Sequence, residues 1–371
     1  MTSVKFEMNL DLLAEALGYI NRVLPGRTFI GLEVCRGATL KVRSGQVRLS
    51  GTNMTIWCDY SYEDSGIPDL DIAIPPDALK LFGGFAGQGK VAKVEIDDGV
   101  MKLNVEKSKY KFSFWKAEDF PQMPKIEEKA KGWVLSLDEL RQINRKVVPF
   151  CAANSYRISF GGVNFKENEG SLEVVGTDSY RLSRLIIGDA VEGVKCLLPA
   201  QHFKQLAWLI DEDMQVVSQF SGAFFITSKV VVYVVQLNEE FVDYDKIINQ
   251  TPVAETRING PETVTALGRL SFLDRQERDF ANRVFIKFNK NEVRFRATGE
   301  IGEAEEVVSA DGADLNEITF NRNYFIEAAR LFNGEILLLF HDQPGGVFFC
   351  EGNFMHLSLP MTKLEVNVDE D

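Results

Sequence analysis

The sequence predicts an α+β protein built from three copies of one unit, and three observations carry that expectation. Gly51-Thr52-Asn53, Gly176-Thr177-Asp178 and Ala297-Thr298-Gly299 each follow a short strand-like run, with the threonines 125 and 121 residues apart. Pro75-Pro76-Asp77, Pro199-Ala200-Gln201 and Asn321-Arg322-Asn323 open a helix-like segment at spacings of 124 and 122. Ser108-Lys109 and Ser228-Lys229 stand 120 apart, each leading into a strand and then a linker. Repeats of about 124 residues therefore account for a chain of 371. The expected domains are residues 1–124, 130–250 and 253–371.

Each unit reads as two helices with alternating strands between them. In the first helix Leu10, Leu13, Leu17, Ile20 and Leu24 recur at helical spacing and form one apolar stripe. Asn9 is placed to cap its start, and Pro25-Gly26 to stop it. Ser136-Leu137-Asp138-Glu139 opens the matching helix of unit two with a capping-box spacing. Val264, Leu267 and Leu270 begin the helix of unit three. Runs such as Tyr110-Lys111-Phe112-Ser113-Phe114 alternate, as strands with one buried face do. The linkers are Glu118–Pro124 and Glu240 to Pro252.

Composition narrows the function. An apolar share of 45% and a charged share of 26% describe a folded globular chain. No apolar run reaches the ~20 residues a membrane span needs. The start, MTSVKFEMNLDLL, carries no secretory pattern. Cys35, Cys58, Cys151, Cys196 and Cys350 form no CxxC pair, which suits reduced thiols in a cytoplasm. His202, His341 and His356 show no zinc spacing, so they read as structural groups and no cofactor or metal is expected.

The most enzyme-like string is Gly84–Val91. It has phosphate-loop spacing up to Lys90, but Val91 replaces the hydroxyl residue that would hold magnesium. It also follows a helix and precedes a strand, the reverse of a phosphate loop. A cytosolic enzyme binding a phosphorylated small molecule there is the rival reading, and a weak one.

The net charge of −13 argues at first against a nucleic-acid partner. Its distribution argues otherwise. The expected helices, 9–27, 75–86, 136–148, 199–210, 261–278 and 321–331, hold 12 basic and 9 acidic residues, so they carry +3. The remainder carries 29 − 45 = −16. Helices lining a surface that faces a polyanion, with acid elsewhere, fit that division.

The repeats, Gly176-Thr177-Asp178-Ser179-Tyr180-Arg181-Leu182, the two linkers, Phe320-Asn321-Arg322-Asn323-Tyr324 and Leu359-Pro360-Met361 together resemble the bacterial replicative sliding clamps, the beta subunits of DNA polymerase III. The resemblance spans essentially the whole chain. It implies a head-to-tail homodimer, a six-domain ring around duplex DNA, with helices lining the hole and sheets outside. It implies no catalysis. The ring would slide through phosphate-directed and water-mediated contacts and tether polymerase, clamp loader and repair proteins through short peptides. A scaffold of this fold that binds peptides without encircling DNA is a further alternative.

Carried over position by position, the resemblance implies a partner-peptide pocket of Phe160, Thr177, Ser179, Tyr180, Arg181, Leu182, Val242, Lys246, Ile247, Asn321, Tyr324, Pro344, Gly346, Leu359, Pro360 and Met361. The family pattern has Gly-His where this chain has Ser179-Tyr180, and proline where it has Val242. The chain also runs on past the Pro-Met motif through the acidic tail Thr362–Asp371. Arg27 matches a DNA-contacting position. Arg141, Arg145, Lys146, Lys204, Arg322 and Arg330 are added from helix location, and Asn154 and Arg157 from a loop near the family's DNA-contacting region. Phe112 on one side, and Phe272 with Leu273 on the other, match the dimer interface.

Overall fold

The computed structural model describes residues 3–26, 28–152, 155–189, 191–273, 282–341 and 346–361. Arg27, Asn154, Pro344, the tail from Thr362 and the end of the helix expected over 261–278 lie outside them. The helices are α1 (Leu10–Ile20), α2 (Pro76–Gly83), α3 (Leu137–Lys146), α4 (Ala200–Leu209), α5 (Asp245–Ile248), α6 (Gly260–Arg269) and α7 (Arg322–Ala329). The chain forms two compact units: residues 1–144 with 189–238, and residues 145–188 with 239–371. The middle repeat is shared between them.

Sheet pairing explains that sharing. In the first unit one sheet runs Lys131–Leu135, Met214–Gln219, Gly222–Ile226, Val230–Val235, Ile56–Glu63, Gln46–Thr52, Ala38–Arg43, Leu70–Ile74, Trp115–Lys116. It joins strands of the first and second repeats where Tyr233 stands opposite Trp57. In the second unit Gly162–Asn168, Ser171–Thr177 and Arg181–Asp189 continue into Phe354–Ser358, Val347–Glu351, Glu335–Phe340 and Ala254–Asn259. There the second repeat joins the third, with Leu357 opposite Leu182. Both joints follow one rule: the strand after the Gly-Thr corner of one repeat pairs with the last strand of the next. A separate sheet of the first unit, Val4–Asn9, Val91–Asp97, Val100–Val105, Ser108–Ser113, ends on Ser108–Ser113 as an edge strand.

Local chemistry places the helices. The Asn9 side chain accepts from the backbone N–H of Asp11 and Leu12, and Asn259 accepts from that of Glu262, so the first helices of repeats one and three share one cap. Repeat two uses the predicted capping box. Ser136 Oγ accepts from Glu139 N at 3.2 Å, while Glu139 Oε2 accepts from Ser136 N at 2.8 Å. Leu10, Leu13, Leu17 and Ile20 are fully buried, and α1 packs against α2 and the strands Gln46–Thr52 and Ile56–Glu63. The helix stops at Ile20, short of the expected 27, because Pro25 disfavours helical geometry at Leu24 and the chain turns through 21–23. Likewise α6 ends at Arg269 and tightens into a 3-10 turn over Leu270–Leu273.

The Gly-Thr-Asn and Gly-Thr-Asp copies build the same corner. Thr52 Oγ1 donates to Ile56 O at 2.8 Å, and Thr177 Oγ1 to Arg181 O at 2.7 Å. Asn53 and Asp178 each accept two backbone N–H groups with one side-chain oxygen. The glycine is required by close approach. A Cβ on Gly51 would lie 2.5 Å from Ile20 Cγ2, and one on Gly176 would lie 2.6 Å from Cys151 Sγ. The third copy is looser: Thr298 is exposed, and it is Gly299 that meets a backbone, Leu273 O at 2.6 Å.

Candidate partner-binding site

Within the second unit the corner Thr177–Leu182 lies on the joint between repeats, and most of the residues expected at the pocket converge there. Leu182 is buried with Val175, Tyr244, Phe348 and Leu357 in one cluster, against which Phe241, Ile248 and Met355 pack. Above this floor the apolar side chains of Tyr180, Ile247 and Leu359 are 61%, 44% and 37% exposed. Leu359 N donates to Tyr180 O at 3.0 Å, and Met361 N to Thr319 O at 2.8 Å, so the C-terminal Leu-Pro-Met segment is laced to the corner and to the strand before α7. Gly346 fits because a Cβ there would come within 2.2 Å of Leu357 Cδ1 and 3.1 Å of Leu359 Cδ2. Val242 is half-buried and Lys246 exposed.

Arg181 is held on every side. Its guanidinium lies 4.2 Å from the Tyr324 ring centroid and 5.1 Å from that of Phe150. Asp178 Oδ2 accepts from its Nε at 2.9 Å and from Nη2 at 2.7 Å, and Glu327 takes Nη1. Asn321 serves as the N-cap of α7, accepting from Asn323 N at 3.0 Å. Phe160 is buried beneath the Arg157 guanidinium, 5.7 Å from its centroid.

The equivalent joint in the first unit is built from larger side chains. Trp57 and Tyr233 occupy the cross-strand pair that Leu182 and Leu357 occupy here, with ring centroids 5.8 Å apart. Trp57 Nε1 donates to Pro121 O of the first linker at 3.4 Å, and Met123 packs on the cluster. Aromatic side chains pair across the first joint, and smaller aliphatic ones, Leu182 with Leu357, across the second.

Sequence reasoning missed Glu173, Asp178, Phe150, Tyr244 and Glu327. Glu173 lies in the strand Ser171–Thr177 and is 1% exposed. Its partners, Arg184 and Tyr244, are remote in sequence, so no local signal marks it.

The charged surface needs two corrections. Lys146 is buried, with Nζ 4.6 Å from the Phe354 ring centroid, because α3 turns that side inward. Arg322 is also buried, with Nη1 donating to Leu267 O at 3.0 Å, and so ties α7 to α6. Neither side chain lies on the surface. Arg141, Lys204 and Arg330 are exposed. Arg145 is exposed with Nη2 donating to Leu331 O at 3.3 Å, and Arg157 is exposed over Phe160. Arg22 was missed: it is exposed and stacks between Tyr19 and Trp208, whose indole is 71% exposed. At the expected dimer surface Phe272 is 59% exposed, and Phe112 is half-buried edge-on to Phe82. Leu273, in contrast, is buried, with its backbone carbonyl close to Gly299.

The phosphate-loop-like string is already occupied from within. Asp11 accepts from Gln88 N at 3.1 Å and from Gly89 N at 2.7 Å, so a carboxylate takes the donors an anionic ligand would need. Among the described residues no group of three or more His, Cys, Asp or Glu is arranged to hold a metal ion, and no helix is long and apolar enough to cross a membrane.

No family model matches the chain. Among curated proteins it is similar to the beta sliding clamp of Bacillus subtilis, 23% identical over 348 residues, covering 89% of this chain and 91% of that one. It is also similar to the beta sliding clamp of Helicobacter pylori, 21% identical over 271 residues and 70% of each chain. Among solved structures, the DNA polymerase III beta subunit of Pseudomonas aeruginosa superposes with a TM-score of 0.86 at 18% identity, over 96% of this chain and 100% of that one. The Bacillus subtilis sliding clamp superposes with a TM-score of 0.85 at 19% identity, over 98% and 100%. The chain thus has the sliding-clamp fold over its whole length, and it is a sequence relative of the bacterial beta sliding clamps.

Proposed function

We infer that the protein is a processivity clamp of DNA replication, a non-catalytic homodimeric ring that encircles duplex DNA and tethers partners through the pocket at the joint of repeats two and three. The observation that carries the ring is the joint rule. Repeat one is joined to two, and two to three, by the strand after the corner pairing with the last strand of the next repeat. Continuing the rule, Gly302–Gly312 of repeat three pairs with the edge strand Ser108–Ser113 of a second copy. The charges complement each other: Lys109 and Lys111 on one strand, Glu303, Glu305 and Glu306 on the other. Phe112 and the exposed Phe272 would flank that seam. Two copies joined this way at both ends close a ring of six repeats, and domains 1–124, 130–250 and 253–371 are its units.

Each arm of the function has its residues. Arg141, Lys204, Arg330 and Arg27 supply diffuse positive charge toward phosphates, and too few of them to halt sliding. The exposed Tyr180, Ile247 and Leu359 above the Leu182–Leu357 floor receive the apolar anchors of a partner peptide. Sedimentation of the free protein tests the joint: a species of twice 41.7 kDa is expected at micromolar concentration. A monomer at that concentration, unchanged by Phe112→Glu, would contradict it.

A further inference from the structure

We propose that Tyr244, tied to the buried carboxylate of Glu173, is a positioning residue that sets the linker wall of the partner-peptide pocket; this rests on the pocket reading above. Tyr244 Oη donates to Glu173 Oε2 at 2.9 Å, and both residues are buried. Glu173 Oε1 accepts from Arg184 Nε at 2.7 Å and from Asn168 Nδ2 at 2.9 Å. One residue beyond Tyr244, Asp245 Oδ2 accepts from Lys166 Nζ at 2.9 Å, and that ammonium lies 5.5 Å from the Tyr244 ring centroid. Two ties thus fasten the start of α5 to adjacent strands of the sheet. Lys246 and Ile247 follow immediately, so their position is decided by this anchor. On its apolar side Tyr244 packs with Leu182 and Leu357, the pocket floor. One side chain therefore fixes wall and floor together.

The first joint supplies the comparison within the same molecule. At an offset of 125 residues Lys41, Arg48, Asp59 and Trp57 stand where Lys166, Glu173, Arg184 and Leu182 stand. The cross-strand ion pair is present there with its charges reversed, Arg48 to Asp59 at 3.9 Å. Met123 of the first linker packs on that joint, as Tyr244 does on the second, and it has no hydroxyl to reach the pair. The two carboxylates respond oppositely. Burial raises the pKa of Asp59. Burial would raise that of Glu173 as well, but hydrogen bonds from Asn168, Arg184 and Tyr244 bring it below the usual value. The phenol-to-carboxylate tie belongs to the Leu182–Leu357 joint, and at the Trp57–Tyr233 joint Met123 packs in the corresponding place.

The test uses the intact protein and a fluorescein-labelled synthetic peptide carrying leucine and phenylalanine anchors. Tyr244→Phe removes one hydroxyl and is expected to weaken peptide binding about tenfold, while retention on circular DNA stays at the wild-type level. Ile247→Ala is expected to weaken binding by a similar factor, and the double variant no further, because an unanchored wall no longer presents Ile247. Lys166→Met, which leaves the core intact, is expected to weaken binding severalfold and guards against misfolding of the Tyr244 variant. Wild-type affinity in Tyr244→Phe, or additive losses in the double variant, would overturn the positioning role and leave the pocket reading standing. A wild-type protein that binds no such peptide would overturn both.

Discussion

Ser179 holds a backbone conformation with φ of 78°, at the turn of the corner that carries Arg181. A residue with a Cβ is strained in the left-handed region by about 1–2 kcal/mol. Ser179→Gly is accordingly expected to stabilise the protein by roughly 0.5–1 kcal/mol, net of the entropy glycine loses on folding, read as a shift in the urea midpoint. Gly176→Ala should do the reverse. Its Cβ would meet Cys151 Sγ at 2.6 Å and Val147 O at 3.0 Å, an overpacking that costs about 1–3 kcal/mol. His356 gives a pH-dependent prediction. Its ring is buried beside Phe150, with Nδ1 2.7 Å from Ser183 Oγ, and burial, aided by the Arg181 charge, lowers its pKa to about 3. The folded state then binds fewer protons than the unfolded chain between pH 6.5 and 3. The stabilisation is complete above pH 6.5 and is lost as pH falls through that window, by about 1.4 kcal/mol per unit. An imidazole NMR titration checks it: the His356 resonances should hold still from pH 7 to pH 5, and a midpoint near 6.5 would refute the assignment. Side-chain direction is where sequence reading failed. Lys146 and Arg322 were placed outward by their location on helices, but helical position does not settle which face a neighbouring helix or strand will cover.

The elements were more legible, because their signals are local. Caps at Asn9 and Ser136 and the repeated Gly-Thr corner are fixed by residues within a few positions of one another. Ser136→Ala should cost about 1 kcal/mol, since the hydroxyl no longer accepts from Glu139 N or donates to Glu139 Oε2. The pocket was legible in part. Its corner and its Leu-Pro-Met segment carry recognisable strings, whereas Glu173 and Arg184 acquire meaning only when the strands pair. The two joints of one design differ in their central pair, Trp57 with Tyr233 against Leu182 with Leu357. Leu182→Trp transfers the first joint's solution to the second. Peptide affinity should fall at least tenfold, with a stability loss of about 1–3 kcal/mol from overpacking the buried cluster; unchanged affinity would mean the peptide seats elsewhere.

At the scale of the whole molecule, a net charge of −13 resolves into two parts. The acid lies largely off the helices, and the helices themselves are close to neutral even before Lys146 and Arg322 are withdrawn into the core. Direct affinity for DNA should be weak and should fall steeply with salt, as for any contact made to phosphates alone. On the clamp reading, DNA is held by closure of the ring and not by binding energy. The decisive measurement therefore compares topologies: the protein is loaded onto DNA by a clamp-loading ATPase, and its retention on a nicked circle is compared with retention on the same molecule cut once. Retention on the circle, with rapid loss from the linear form, is the predicted result. Equal release from both would contradict the ring.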